Sequence, residues 1–403
     1  MRYRNLLILS LTLLLVGCRK EAKPPSIATA PPPAAKSEGE ALFTNVTQSA
    51  GIDFTFTNGA KGRHYLIETT GSGCAFFDYD NDGYPDILLL QAGELPNTPN
   101  PRKLTNRLYH NLGNGKFQDV TAGSGVEITG YNQGLAVGDY DSDGYDDLFT
   151  TAFGGNHLFH NEKGTGKFTE VTAKAHLSDT ERGARWCTSA AFGDYDNDGK
   201  LDLYVCRYAV WNPEKDKPCK NPKGQSSYCS PELYAPEEHI LYHNNGDGTF
   251  TPITESLGDI AQPHVTRGLA VGDFDNDGNM DVLANNQDGA PELLKGNFKG
   301  GHWFALETHG TKSNRNGYHA KVTLTAGGKT YFAEVRSGSS FGSHSHSRLY
   351  FGLGEATKID SLKVVWHGSK TVTQAQNVTA DATYSLTEGK SLEPLHTKRG
   401  GGQ

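Results

Sequence analysis

Short apolar runs recur along the chain, each cut off by Asp, Asn or Gly. Ala75-Phe76-Phe77 comes before Ile87-Leu88-Leu89-Leu90, and Leu135-Ala136-Val137 before Leu148-Phe149; Leu201–Val205 and Val282-Leu283 follow similar breaks. Runs this short, bounded by turn residues, predict strands and not helices. A second pair repeats between them. Asn106-Arg-Leu-Tyr-His110-Asn111 leads to Phe117-Gln-Asp-Val120-Thr121, Asn156-His-Leu-Phe-His160-Asn161 to Phe168-Thr-Glu-Val171-Thr172, and His239-Ile-Leu-Tyr-His243-Asn244 to Phe250-Thr-Pro-Ile253-Thr254. Alternating apolar positions around an Asn/Gly cluster mark a hairpin. Each unit therefore supplies four short strands, enough for one propeller blade. The second unit predicts strands at 134–138, 148–152, 156–160 and 168–171.

The ends of the array need separate bookkeeping. Phe43-Thr-Asn-Val46-Thr47 matches a fourth strand with nothing before it, while the last unit stops after three strands near Leu294. The expectation is that the N-terminal strand completes the last blade and closes a ring of four, or of five if 52–56 and 64–67 add strands. Three copies of one histidine, His110, His160 and His243, point to a structural role, since a catalytic residue would not be copied.

The apolar run at the start has a different character. Arg2 and Arg4 precede Leu6–Val16, which as a helix spans about 16 Å, too short for a ~30 Å hydrocarbon core. A basic start and a short apolar core read as an export signal. The run ends in Leu15-Val16-Gly17-Cys18, which resembles the bacterial lipobox and implies cleavage before a lipidated Cys18. Residues 1–17 are thus a signal, and the Pro- and Ala-rich stretch 18–41 reads as an extended tether. Arg19 stands where an inner-membrane retention signal would place Asp, which favours the outer membrane. The expected location is the cell envelope, periplasmic or surface, with the membrane as partner through the lipid.

Charge then sharpens the picture. Acidic residues outnumber basic ones, 46 to 38, for a net charge of −8, which argues against a nucleic-acid partner. Seventeen of the 46 acidic residues stand in one recurring nonapeptide, sixteen of them at its positions one, three, five and nine. Its copies are Asp78-Tyr-Asp80-Asn-Asp82-Gly-Tyr84-Pro-Asp86, Asp139-Tyr-Asp141-Ser-Asp143-Gly-Tyr145-Asp-Asp147, Asp194-Tyr-Asp196-Asn-Asp198-Gly-Lys200-Leu-Asp202 and Asp273-Phe-Asp275-Asn-Asp277-Gly-Asn279-Met-Asp281. Carboxylates at alternate positions repel one another unless a hard divalent cation, best Ca²⁺, accepts their oxygens, and Gly at position six permits the tight turn. Position twelve carries no carboxylate and strands flank the loop, so this is a hairpin turn and not a helix–loop–helix. The expected ligands are the side chains at positions one, three, five and nine and the carbonyl at position seven, for about four ions.

Tandem hairpins of this kind resemble the FG-GAP/VCBS repeats of integrin-α propellers. The resemblance implies an all-β, integrin-α-like propeller over 42–300. Residues 301–390 lack the acidic loop and predict a small β-sandwich-like domain with strands near 302–308, 320–326, 330–335, 348–352, 361–366, 371–375 and 383–386, then a disordered tail at 391–403. Ser313-Asn-Arg-Asn316, Glu334-Val-Arg-Ser-Gly338, Leu349-Tyr-Phe-Gly-Leu-Gly354 and Val364-Val-Trp366 resemble the ASPIC/UnbV domain, which follows FG-GAP-type repeats in cartilage acidic protein and in many bacterial exported proteins. Tyr318-His319 departs from that pattern, which usually has an aliphatic residue and then Gly.

An exported protein permits disulfides. Cys219 and Cys229 bracket the polar tip of an insertion running from Trp211 to about Glu238 and are expected to pair, contributing roughly 2–3 kcal/mol. Cys187 and Cys206 flank the third acidic hairpin and form a second candidate pair, and Cys74 reads as a buried thiol.

Two functional classes follow. One is a non-catalytic, calcium-stabilised, adhesion-type module for a protein or glycan ligand. The other is an enzyme with a polar site at the channel mouth, lined by Glu68, Asn132, Gln133, Arg185, Trp186, His264 and Arg267. No catalytic residue is assigned. The test between them is whether those seven side chains converge.

Overall fold

The computed structural model describes residues 43–93, 95, 103–178, 184–216, 218–253, 258–287, 289–338 and 343–397. Cys18, the signal and the tether lie outside them. Among the described residues the fold is strands and loops, with three short 3-10 turns and no helix long and apolar enough to cross a membrane.

The repeat produces a propeller-like array of four antiparallel sheets. The first blade is β1 (Cys74–Phe77), β2 (Asp86–Leu89), β3 (Arg107–Asn111) and β4 (Phe117–Asp119). The second is β5 (Tyr131–Gly138), β6 (Asp147–Phe153), β7 (His157–Asn161) and β8 (Phe168–Glu170). The third starts with β9 (Cys187–Gly193) and β10 (Asp202–Arg207). It is interrupted by a disulfide-closed lobe carrying β11 (Cys219–Lys220) and β12 (Ser226–Ser227), and ends with β13 (Ile240–Asn244) and β14 (Phe250–Ile253). The fourth has β15 (Thr266–Gly272), β16 (Asp281–Asn286) and β17 (Glu292–Leu294). Alternate residues of neighbouring blades interdigitate. Phe77, Leu88, Leu108, Leu135 and Leu148 fill the space between blades one and two, and Ala136, Phe149, Ala190, Leu203 and Val205 that between two and three.

The ends of the array differ from the sequence expectation. Residues 43–46 are not in a strand, 47–51 form a turn, 52–61 stay outside any ladder and 66–69 are a 3-10 turn, so neither the closing strand nor a fifth blade forms among the described residues. Phe76 on blade one is 61 % exposed, and Leu283 and Leu293, paired across blade four, are 48 % and 56 % exposed. The first and last blades therefore do not bury these faces against each other. For the same reason Cys74, beside Phe76, is exposed and not buried.

Cys219 and Cys229 are joined as expected, with Cα atoms 5.2 Å apart. Cys187 and Cys206 remain buried thiols. Cys187 faces the core between blades two and three and Cys206 the core between three and four, so they point to opposite faces of one sheet.

The C-terminal domain is a sandwich of two four-stranded sheets. One has the order β21-β18-β24-β25 and the other β20-β19-β22-β23. The strands are β18 (His302–His309), β19 (Lys321–Ala326), β20 (Lys329–Glu334), β21 (Leu349–Gly354), β22 (Lys358–Val365), β23 (Val372–Thr379), β24 (Ala382–Thr387) and β25 (Leu392–Thr397). Phe304, Leu306, Val322, Leu324, Leu362, Val364 and Trp366 fill the space between the sheets. β25 pairs with β24, so the domain runs past residue 390 into the stretch expected to be a tail. His319 has φ +65°, a left-handed turn that Gly would adopt without strain, and its Nδ1 lies 2.8 Å from the Glu334 carboxylate. The turn is thus kept although the residue is not Gly.

Candidate metal centre

Each acidic nonapeptide links the first two strands of a blade, and all four fold alike. Position one receives the amides of positions five and six on its two oxygens: Asp82 and Gly83 donate to Asp78, Asp143 and Gly144 to Asp139, Asp198 and Gly199 to Asp194, and Asp277 and Gly278 to Asp273, at 2.9–3.1 Å. Position four takes a left-handed conformation (Asn81, Ser142, Asn197 and Asn276, φ 58° to 61°), a site that suits Asn and was not singled out from sequence. Position six is glycine with φ between 86° and 96°.

Position nine has a distinct role. Asp86 is fully buried; one oxygen accepts from the Tyr79 amide at 3.1 Å and the other from the Asn111 amide at 2.8 Å. Asp147, Asp202 and Asp281 repeat both contacts with Tyr140 and Asn161, Tyr195 and Asn244, and Phe274 and Gly296. This carboxylate is a buckle tying the loop to the next strand. Asn161 also donates to the Tyr79 carbonyl (2.9 Å) and Asn244 to the Tyr140 carbonyl (2.8 Å), so loops one and two are each held by the blade that follows. The side chains of Asn81 and Asn197 reach the position-six carbonyls of the next loops, Gly144 and Gly278.

Carboxylates crowd together in these loops. Carboxylate oxygens of Asp78, Asp80 and Asp82 lie within 4.8 Å of one another, as do those of Asp139, Asp141 and Asp143. Burial pushes Asp86, Asp147 and Asp194 up to about 7, and Asp139 and Asp202 to about 8. Burial and then the neighbouring carboxylates also raise Asp80, Asp141 and Asp196. The donors are all hard oxygens, so these residues could hold a hard divalent ion. The repeated histidines sit at the rim. Nδ1 of His110 is 3.5 Å from Asp80 and 3.1 Å from Asp86, that of His160 is 3.2 Å from Asp141 and 3.4 Å from Asp147, and that of His243 is 3.4 Å from Asp196 and 3.2 Å from Asp202. The hydrogen bond to Asp147 raises His160 to about 9.

The C-terminal domain rests on these loops. Lys321 reaches Asp78 of loop one at 2.6 Å, and Lys370 lies over the Tyr84 ring. Arg336 pairs with Asp146 of loop two. The Gly354 amide donates to the Asn197 carbonyl of loop three, and a Cβ on Gly352 would overlap the Asp194 carboxylate. Arg348 donates to Asn276 of loop four at 2.7 Å, and the Asp273 amide meets the Tyr350 hydroxyl.

This combination of parts decides the family. A description of an FG-GAP-like repeat matches residues 78–150, 139–205 and 234–284, and one of ASPIC and UnbV matches 310–393. The chain is an FG-GAP-like repeat protein with an ASPIC and UnbV domain. It is 25 % identical over 281 residues to cartilage acidic protein 1 of Xenopus tropicalis and 26 % identical over 297 residues to that of Homo sapiens. These matches cover 67 % and 70 % of this chain but only 39 % and 40 % of the relatives. An Agrocybe aegerita lectin, described as recognising non-reducing terminal N-acetylglucosamine, aligns over 77 % of this chain and 81 % of its own at 14 % identity and a TM-score of 0.32, too low to carry an argument.

The seven residues expected at the channel mouth do not form a shared cleft. That end of the FG-GAP array is a core of Leu66, Ile67, Tyr131, Phe153, Trp186, Tyr208 and Trp211. Asn132, Gln133 and Trp186 are fully buried within it, and the Trp186 indole donates to Gln133 at 2.8 Å. Arg185 pairs with Glu237, His264 with Glu292 at 2.9 Å, and Arg267 with the Tyr208 hydroxyl at 2.6 Å. Glu68 is buried under the disulfide lobe near Tyr228. A cavity of about 450 Å³ lies between the acidic loops and the C-terminal domain, lined by Asp139, Asp194, Lys321, Arg336 and Arg348 among others.

Proposed function

We propose that this chain is an exported, lipid-tethered binding module whose FG-GAP loops bind Ca²⁺. The observation that carries the reading is the convergence of buried carboxylates in loops that also seat the C-terminal domain. When bound, the ion would neutralise the side chains at positions one, three and five and lock the seat. The disulfide supports an oxidising compartment outside the cytoplasm. Of the two ligand classes, a protein fits better, because Phe76, Phe274, Leu283 and Leu293 expose apolar surface on the end blades. The enzyme reading loses support, since Gln133, Trp186, Arg185, His264 and Arg267 are engaged in packing and internal pairs.

The experiment is a pull-down from envelope extract with the lipidated protein, in Ca²⁺ and in EDTA. A specific protein retained only in Ca²⁺ supports the reading. Retention of glycan instead, or identical capture in both buffers, contradicts it. In the same strain C18S should move the protein from the membrane to the soluble fraction; an unchanged membrane pool would refute lipid anchoring.

A further inference from the structure

Loop four resembles the other three in sequence and backbone but not in its surroundings. In blades one to three the residue preceding the buckled amide is His110, His160 or His243, and the amide belongs to Asn111, Asn161 or Asn244. In blade four the corresponding pair is Lys295-Gly296, placed by the Gly296 amide donating to Asp281 at 2.8 Å. The Lys295 ammonium bonds Asp275 and lies 2.9 Å from Asp277. Those are positions three and five, and the atoms contacted are their Oδ2 oxygens. In Asp277 the other oxygen, Oδ1, is taken by the Asn279 amide, so the ammonium occupies the oxygen left over for a metal.

We propose that Lys295 takes the place of the ion in loop four, so that the protein has three calcium loops and one closed by its own side chain. This rests on the calcium reading above. The histidines differ in kind: each pairs with positions three and nine at the rim and makes no ion pair with position five. The other lysines near the loops also differ. Lys200 bonds Asp198 only, while Asp196 keeps His243; Lys321 touches loop one at Asp78 and the side chain of Asn81. Lys295 alone among these bridges two of the ligating carboxylates. An ammonium is always charged at neutral pH, so a divalent ion entering loop four must displace it against repulsion.

The test is the number of Ca²⁺ ions bound by the whole protein, counted by equilibrium dialysis at saturating calcium and by native mass spectrometry. Wild type should bind three. K295S, and K295H, which restores the pattern of the other repeats, should bind four. D275N/D277N should leave three, while D80N/D82N should leave two. Four ions on wild type, an unchanged count in both Lys295 variants, or a loss of one ion from D275N/D277N would overturn the proposal. No ion on any variant would overturn the calcium reading first and this inference with it.

Discussion

At the scale of single residues, the position-nine aspartates are the points on which each blade turns. Asp202 has no exposure, and its two oxygens take the Tyr195 and Asn244 amides at 3.0 and 2.8 Å. D202A strands both buried donors, and chemical denaturation should show a loss of about 3 kcal/mol, with a smaller loss for D202N, which keeps one acceptor. The loop carboxylates also set a pH dependence. Their native pKa values lie above the unfolded value, so between about pH 4 and 8 the native state binds more protons than the unfolded chain, and stability falls as pH rises. His160, also raised, acts in the same direction. In EDTA the melting temperature should therefore drop from pH 5 to pH 8, and calcium should remove most of the slope. A chelated protein more stable at pH 8 would contradict this assignment of charge.

At the scale of elements, the strands and loops were legible because their information is local. Asp at alternate positions, Gly at six and apolar flanks specify a hairpin without reference to the rest of the chain. The His-Asn pair was visible as a repeat, but its place on the loop rim was not, since that depends on how the third strand registers with the second. The change to Lys295-Gly296 is the signal that would have marked loop four as different. The proposed Cys187–Cys206 pair failed because neighbouring strands do not tell which face each residue occupies across the bulge at Cys206 and Arg207. Thiol labelling checks this: of Cys74, Cys187 and Cys206, only Cys74 should react in the native protein, and the other two only on unfolding. A fast second thiol would mean that the blade-three sheet is packed otherwise. In the sandwich, Glu388 accepts the amides of Thr311, Lys312 and Ser313 and bonds Ser369, which holds its carboxyl well below the usual range although burial opposes this.

At the scale of the whole molecule, the sequence showed two domains but not that one is seated on the acidic loops of the other. Lys321, Arg336, Tyr350 and Gly352 belong to segments whose own pattern says only that they are part of a sandwich, and the hydrogen-bonded partners of the first three lie between 77 and 243 residues away. The closing strand and the open mouth were misjudged for a related reason. A ring was inferred by counting strands, while the structure leaves the end blades apart and fills the mouth with aromatic side chains. Because the sandwich rests on the loops, calcium should couple the two domains, and chelation should speed proteolytic cleavage between β17 and β18. The most direct test of the account is thermal unfolding of the whole protein with and without EDTA. A ligand bound only by the native state must raise the melting temperature, by an amount that grows with free Ca²⁺. The account predicts a clear fall in EDTA, reversed by added calcium and not by an equal ionic strength of sodium; a melt unchanged by chelator would contradict it.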